Sequence, residues 1–211
     1  KIKNKKIKII FSPLGSDVMV DAFNKAFYKK MVDKVFLRTN IITADSNAKL
    51  NACKKLGSGQ IESHIIQYGV DKNHFEYKSK KQIDLNKINS EFILFSPRGL
   101  SPEYNIDCIL KALAMLNKDG IKFKCMFAFN YGEKILAKYK LISKKLNISN
   151  NIEWLGYIKY EDMSDLYNMS DVVISFPFID SSPKCVYEAL FCKSNVIVSD
   201  LEWSYDFLKN E

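Results

Sequence analysis

A chain of 211 residues is long enough to build one large domain or two small ones around a substantial core. Its 47% hydrophobic and 27% charged residues exclude an intrinsically disordered protein, and no apolar run reaches the roughly 18 residues of a membrane-spanning helix. The formal net charge of +8 favours anionic partners such as nucleotides, acidic lipid surfaces or nucleic acid. No signal-peptide pattern opens the sequence, so we expect a cytoplasmic protein.

The pattern of potential metal ligands is sparse. The five cysteines form no CxxC pair, and the two histidines lie far from most of them. The sequence therefore predicts neither a zinc site nor a disulfide framework, and no DxD stretch suggests another bound metal. We expect no metal and no cofactor.

Residues 1–75 alternate between short apolar runs and helical patterns. The predicted elements are, in chain order, a strand at 7–13, a helix at 17–31, a strand at 40–46, a helix at 47–57 and an extended piece at 64–71. Residues 76–90 are polar and lack a clear period, so they are predicted to form a linker.

From residue 91 onward the alternation becomes regular. The predicted strands are 92–97, 123–129, 152–158, 171–177 and 195–200. Helices are predicted over 101–120, 133–146 and 161–169, from 183 onward, and near 203–208. Strands joined by helices imply right-handed crossovers and a parallel sheet. We therefore predict an α/β fold with a Rossmann-like domain over 91–211 and part of a second such domain over 1–75.

The helix predicted from residue 183 starts at the carboxyl end of a strand, where open parallel sheets bind their ligands. Ser182 is a plausible N-cap, and Pro183 is a plausible first helical residue. Backbone amides at a helix start attract phosphate, and we expect those of Lys184, Cys185 and Val186 to be unpaired. The Lys184 ammonium would add positive charge at the same place.

Two carboxylates, Asp180 and Glu188, flank this helix start. Glu188 could accept two hydrogen bonds from the hydroxyls of a ribose, while Asp180 could reach a sugar placed near a diphosphate. The spacing alone leaves a second interpretation open. Asp180 would then be a solvated loop residue and Glu188 a residue of the helix surface.

The segment SDVVISFPFIDSSPKCVYEALFCKSNVIVSDLEW resembles the hallmark region of family 4 glycosyltransferases, which are retaining enzymes of the GT-B fold. Asp180 and Glu188 match the acidic-x7-acidic motif of that family, with Asp in place of the usual first Glu. EALFCKSNVIVSD is similar to the family pattern EAMACGxPVIxSD, and AFNYGE keeps only Gly132 of the VGxGP turn. Upstream, GSDVMV, ITADS and IIQYGVD are similar to elements that close the acceptor domain.

The resemblance also assigns roles around the diphosphate and the base. Arg98 in ILFSPRGL matches the arginine that holds the diphosphate, and Tyr104 stands where many members carry a lysine. Leu155 and Gly156 match a Leu-Gly pair whose backbone lies near the nucleotide base.

The resemblance implies a retaining hexosyltransferase-type enzyme. It would move a sugar from a UDP- or GDP-sugar to a hydroxyl of a glycan or lipid-linked acceptor, in cell-surface polysaccharide biosynthesis, with peripheral contact to an anionic membrane. The chain would comprise the end of the acceptor domain and most of the donor domain, so we expect poor activity from it alone. The alternative is a non-catalytic nucleotide-binding module of the same fold. Nucleic acid is not expected as a partner, because no interleaved aromatic and basic face occurs.

Overall fold

The computed structural model describes residues 7–78, 92–130 and 132–208. These residues form two compact units, each with its own parallel sheet. The first unit contains the described residues up to 69, residues 180–182 and those from 200 onward, and the second contains the remainder. The predicted domain boundaries stay a prediction, and the linker predicted at 76–90 lies mostly outside the described residues.

Within the described residues, both units consist of short strands connected by helices. The strands are β1 (Ile10–Phe11), β2 (Ile41–Ala44), β3 (Glu62–Ile65), β4 (Phe92–Ser96), β5 (Phe123–Ala128), β6 (Ile152–Gly156), β7 (Val172–Ser175) and β8 (Asn195–Val198). The α-helices are α1 (Ala22–Asn24), α2 (Ala26–Phe36), α3 (Asn47–Cys53), α4 (Ile106–Lys118), α5 (Glu133–Lys145), α6 (Tyr160–Met169), α7 (Lys184–Phe191) and α8 (Ser204–Phe207). None of these described helices is long and apolar enough to cross a membrane.

The sheet of the first unit has the order β1-β2-β3, and all of its pairs are parallel. The helix predicted over 17–31 is interrupted in this unit. Asp17–Asp21 form one turn of π-helix, α1 follows, and Lys25 is extended (φ −132°, ψ 113°) before α2 begins. The prediction of one continuous helix was therefore wrong.

Charge explains the interruption. In a continuous helix, Lys25 and Lys29 would lie on the same stripe as the buried residues of the segment, which are Val18, Ala22, Val32 and Phe36. Lys29 keeps this position in α2, where its side chain is 40% exposed, whereas the interruption takes Lys25 off the stripe and avoids burial of its ammonium. The break leaves the Lys25 side chain 59% exposed, with its ammonium 2.7 Å from Asp21 Oδ1.

The second unit has a five-stranded sheet in the order β6-β5-β4-β7-β8. The side chains of the central strand β4 alternate between the two faces of this sheet. Leu94 packs in a cluster with α4 and α5, whereas Ile93 and Phe95 pack in a cluster with α6 and α7. The five strands predicted for this part of the chain are confirmed, and each is slightly shorter than predicted.

The start of α4 lies later than predicted. Pro102–Tyr104 form a 3₁₀ turn, and Asn105 then adopts the left-handed region at φ 54° before the helix begins at Ile106. Asn tolerates this conformation better than most residues do. Ser101, the first residue of the predicted helix, therefore precedes the 3₁₀ turn and is not part of α4.

Another left-handed residue follows α7. Lys193 has φ 59° and stands where the pattern EAMACGxPVIxSD has its glycine. Its Nζ atom lies 4.7 Å from the ring centroid of Tyr77.

Candidate functional site

The strand order of the second unit creates one crevice at the carboxyl edge of its sheet. The chain begins at the central strand β4, adds β5 and β6 on one side, and then returns to add β7 and β8 on the other. Because β4 and β7 are adjacent and parallel, the loops that follow them diverge at the point where the strand order reverses. Open α/β sheets bind ligands at this switch point.

Arg98 lies in the loop after β4, and α7 follows the loop after β7. Arg98 Nη1 donates to Cys185 Sγ at 3.5 Å, so the structure brings the guanidinium to the amino end of α7. The central carbon of the guanidinium lies 4.4 Å from the ring centroid of Tyr104, which is a cation–π contact. The tyrosine that replaces the usual lysine therefore supports the arginine.

The start of α7 differs from the prediction in two ways. The helix begins at Lys184, and the N-cap is Pro183 (φ −72°, ψ 102°) and not Ser182. Val186 N donates to Pro183 O at 2.9 Å, so its amide is not unpaired as predicted. The reason is that the first intrahelical bond is accepted by the proline carbonyl. Lys184 is exposed, and the side chain of Val186 is fully buried.

Glu188 is buried inside α7, with 7% of its surface exposed. Its Oε2 accepts a hydrogen bond from the hydroxyl of Tyr167 at 2.9 Å, and Lys184 Nζ lies 4.0 Å from its Oε1. The alternative interpretation of Glu188 as a helix-surface residue is therefore wrong. Burial raises the pKa of this carboxyl, although the Tyr167 hydrogen bond, Lys184 and His74 each act to lower it.

Aromatic side chains that the sequence did not single out surround this carboxylate. The His74 ring stacks on Tyr160 with centroids 4.8 Å apart, and its Nε2 lies 2.9 Å from Tyr160 O. Lys184 Nζ lies 5.7 Å from the Tyr160 ring centroid. Tyr160 and Tyr167 lie on α6, and the sequence carries no signal of this arrangement beyond the helix predicted over 161–169.

A pocket of about 180 Å³ lies at the carboxyl ends of β4, β5 and β6. Its lining residues are Pro97, Ala128, Phe129, Asn130, Tyr157, Ile158 and Met163. Leu155 and Gly156 are the last residues of β6, and the lining residues Tyr157 and Ile158 follow them directly. Gly156 has φ +72°, and its carbonyl accepts a hydrogen bond from Phe129 N at 2.8 Å. This bond joins the ends of two strands at the rim of the pocket.

Asp180 and Ser182 group with the first unit, together with Ser181. Asp180 Oδ1 accepts a hydrogen bond from Ser181 N at 2.8 Å, and Ser181 Oγ donates to Asp45 Oδ2 at 3.3 Å. The same Asp45 oxygen lies 2.8 Å from Lys49 Nζ, and both side chains of this ion pair are buried. The predicted roles of Asp180 and Ser182 in the reaction stay predictions.

In the part of the chain that the structure describes, no group of three or more His, Cys, Asp or Glu side chains could hold a metal ion.

A family model described as glycosyl transferases group 1 matches residues 77–211, which is well over half of the chain. The chain belongs to the group 1 glycosyltransferase family. The matched residues include every residue of the crevice described above except His74. No curated protein matches the chain.

Solved glycosyltransferases share the fold of this family member. HepE from Anabaena, solved in complex with UDP-glucose, superposes with a TM-score of 0.82 at 15% identity, over 96% of this chain and 56% of HepE. Sucrose-phosphate synthase from Thermosynechococcus elongatus gives 0.78 at 13% identity, over 91% and 49% of the two chains. A glycosyltransferase from Rickettsia africae gives 0.74 at 19% identity, over 95% and 54%.

These likenesses confirm the predicted fold class, an α/β chain of the GT-B type with parallel sheets. The chain spans about half the length of these solved proteins. The narrower assignment to family 4 stays a prediction.

Proposed function

We propose that the chain carries the donor-binding part of a retaining glycosyltransferase. It would transfer a sugar from a UDP- or GDP-sugar to a hydroxyl of a glycan or lipid-linked acceptor, as in cell-surface polysaccharide synthesis. The observation that carries the proposal is the meeting of Arg98 with the amino end of α7 at the switch point of the sheet, with Glu188 buried one turn further along.

The charges of this crevice suit a diphosphate. Arg98 supplies a fixed cation that is supported by Tyr104, Lys184 supplies a second cation, and the α7 dipole places partial positive charge at the same end. A departing nucleoside diphosphate gains negative charge in the transition state, and groups that are already oriented toward that charge lower the barrier.

The other parts of a donor nucleotide also find suitable groups. The Glu188 carboxylate can accept hydrogen bonds from ribose hydroxyls, and the pocket beside Leu155 and Gly156 offers apolar walls and backbone polar groups for a base. HepE was solved with UDP-glucose, which makes UDP the first nucleotide to test. Retention of configuration and contact between Asp180 and the transferred sugar rest on the sequence resemblance.

Replacement of Arg98 or Glu188 with Ala is expected to weaken UDP or GDP binding by roughly 1 to 3 kcal/mol, because each removes a charged hydrogen-bonding group from the nucleotide site. Isothermal titration calorimetry of the chain with UDP, GDP and UDP-glucose measures the effect and identifies the preferred base.

Two variants serve as matched controls. Arg38→Ala removes the other arginine of the chain, which is exposed on the first unit, and Glu153→Ala removes an exposed glutamate from β6. Neither should change the nucleotide affinity. An equal loss in the controls, or the absence of nucleotide binding by the unmodified chain, would contradict the proposal. Nucleotide binding without any release of UDP from UDP-glucose in the presence of acceptor glycans would instead fit a non-catalytic nucleotide-binding module.

We further propose that the protein works at the cytoplasmic face of an anionic membrane. Besides the net charge of +8, helix α5 presents five exposed lysines, which are Lys134, Lys138, Lys140, Lys144 and Lys145. Basic surfaces are attracted to anionic lipids by roughly 1 kcal/mol per lysine near the surface.

We therefore expect the chain to sediment with phosphatidylserine vesicles at about 0.05 M salt and to be released at about 0.5 M, because salt screens the attraction. Vesicles of phosphatidylcholine alone are the control. Equal binding to both kinds of vesicle would argue against an electrostatic contact.

A further inference from the structure

Tyr167 is a fully buried side chain that touches the key carboxylate of the crevice. It lies on α6, packs in the core cluster with Phe75 and Phe95, and has no exposed surface. Its hydroxyl donates to Glu188 Oε2 at 2.9 Å across 21 residues of sequence. A buried tyrosine hydroxyl and a buried carboxylate each need a polar partner, and here each group is the partner of the other.

Titratable groups face Glu188 from three parts of the second unit. They are Lys184 on α7, Cys192 directly after α7, Tyr160 and Tyr167 on α6, and His74 in the segment before β4. The Lys184 ammonium lies 4.0 Å from Oε1, which is too far for a hydrogen bond. The Tyr167 bond is therefore the contact that fixes the orientation of the carboxylate.

We propose that Tyr167 is a positioning residue for nucleotide binding, whose hydroxyl holds the Glu188 carboxylate in the orientation in which it accepts hydrogen bonds from both hydroxyls of a ribose. Tyr167 acts through Glu188 and does not touch the nucleotide. The inference rests on the proposed function, because it assumes that the ligand of Glu188 is a ribose.

The hydrogen-bonding capacity of the carboxylate agrees with this role. An ionised carboxylate offers about four acceptor positions, and Tyr167 occupies one of them on Oε2. The remaining positions are sufficient for two ribose hydroxyls. A protonated carboxyl would itself carry a donor and would accept fewer hydrogen bonds, so the ionised form is the one that suits a ribose.

Tyr167 also favours that ionised form. Burial raises the pKa of Glu188, and the Tyr167 hydrogen bond is the first of the contacts that lower it. Removal of the hydroxyl should therefore raise the pKa of Glu188 further. Ribose binding, which needs the carboxylate, should then begin to fail at a higher pH as the solution is acidified.

The first test needs no ligand. In Tyr167→Phe, the carboxyl ¹³C signal of Glu188 in NMR spectra should titrate at a higher pH than in the unmodified chain. Tyr139→Phe is the matched control, because Tyr139 is equally buried but packs in the cluster with α4 and α5 on the opposite face of the sheet. An unchanged Glu188 titration in Tyr167→Phe would overturn the inference.

The second test compares UDP with 2′,3′-dideoxy-UDP in calorimetric titrations over a range of pH. Tyr167→Phe should raise the Kd for UDP about tenfold, move the acid loss of binding to higher pH, and leave the affinity for the dideoxy nucleotide unchanged. The double variant Tyr167→Phe/Glu188→Gln should bind UDP as Glu188→Gln alone does, because Tyr167 acts only through the carboxylate.

The outcomes separate the two proposals. An equal loss for both nucleotides in Tyr167→Phe would show a merely structural role and overturn the inference. If the unmodified chain binds neither nucleotide while the Glu188 titration shifts as expected, the proposed function fails, and the role of Tyr167 in nucleotide binding fails with it.

Discussion

Replacement of Asp45 with Asn is expected to lower the free energy of unfolding of the first unit by about 3 to 5 kcal/mol. The substitution keeps the shape of the side chain but leaves the Lys49 ammonium, whose side chain is 1% exposed, without the carboxylate charge that lies 2.8 Å away. A buried charge without its counter-charge is one of the few single defects that is this unfavourable. Urea unfolding followed by Trp203 fluorescence in a Trp154→Phe background measures the loss, because Trp203 is buried in the first unit.

The same unit provides a control with identical spacing. Lys25 and Asp21 are also four residues apart and lie 2.7 Å from each other, but the lysine side chain is 59% exposed. Asp21→Asn should therefore change stability by no more than about 1 kcal/mol. The double variant Asp45→Asn/Lys49→Met should regain much of the lost stability, since it removes the uncompensated charge. Equal small losses in both single variants would show that the Lys49 charge is compensated elsewhere.

Replacement of Gly132 with Ala is expected to destabilise the second unit by about 2 to 4 kcal/mol. Gly132 has φ +91°, where a side chain is strained, and an added Cβ would lie 2.6 Å from Leu100 O and 2.9 Å from Leu100 Cβ. The backbone of Leu100 would have to move, and Arg98 lies two residues earlier in the same loop. The midpoint of thermal unfolding and the affinity for nucleotide should therefore both fall. Scanning calorimetry measures the midpoint, and titration calorimetry measures the affinity.

Gly120 isolates the conformational part of that effect. It also has positive φ, at +76°, but no atom lies within 4 Å of the Cβ that an alanine would add. Gly120→Ala should destabilise by only about 1 kcal/mol and should leave nucleotide binding unchanged. If the two alanine variants behave alike, close approach to Leu100 is not what requires a glycine at position 132.

The fold of the second unit followed from local patterns. Apolar runs such as 92–97 and 123–129 marked its strands, and the rule for parallel sheets located the ligand crevice at their carboxyl ends. The structure brings Arg98 to the start of α7, and the roles of both in binding a diphosphate stay predictions. These features depend on short stretches of sequence, so they could be recognised without tertiary information.

Other features depend on contacts between distant residues and could not be predicted. The Tyr167 bond to Glu188 joins two helices, and the bond from Ser181 to Asp45 spans 136 residues. The latter places residues 180–182 with the first unit, whereas their neighbours in sequence belong to the second. The break at Lys25 is a different case, because the charged residues on the apolar stripe are visible in the sequence itself.

The left-handed lysine after α7 shows how the cost of losing a glycine of the family pattern can be partly offset. A non-glycine residue in this conformation costs roughly 1 to 2 kcal/mol. The contact of the Lys193 ammonium with the Tyr77 ring, at 4.7 Å, returns about 0.5 to 1 kcal/mol that no glycine could supply. The side-chain attraction thus offsets about half of the backbone strain, so a long basic residue at position 193 is tolerated better than a residue without such a contact would be.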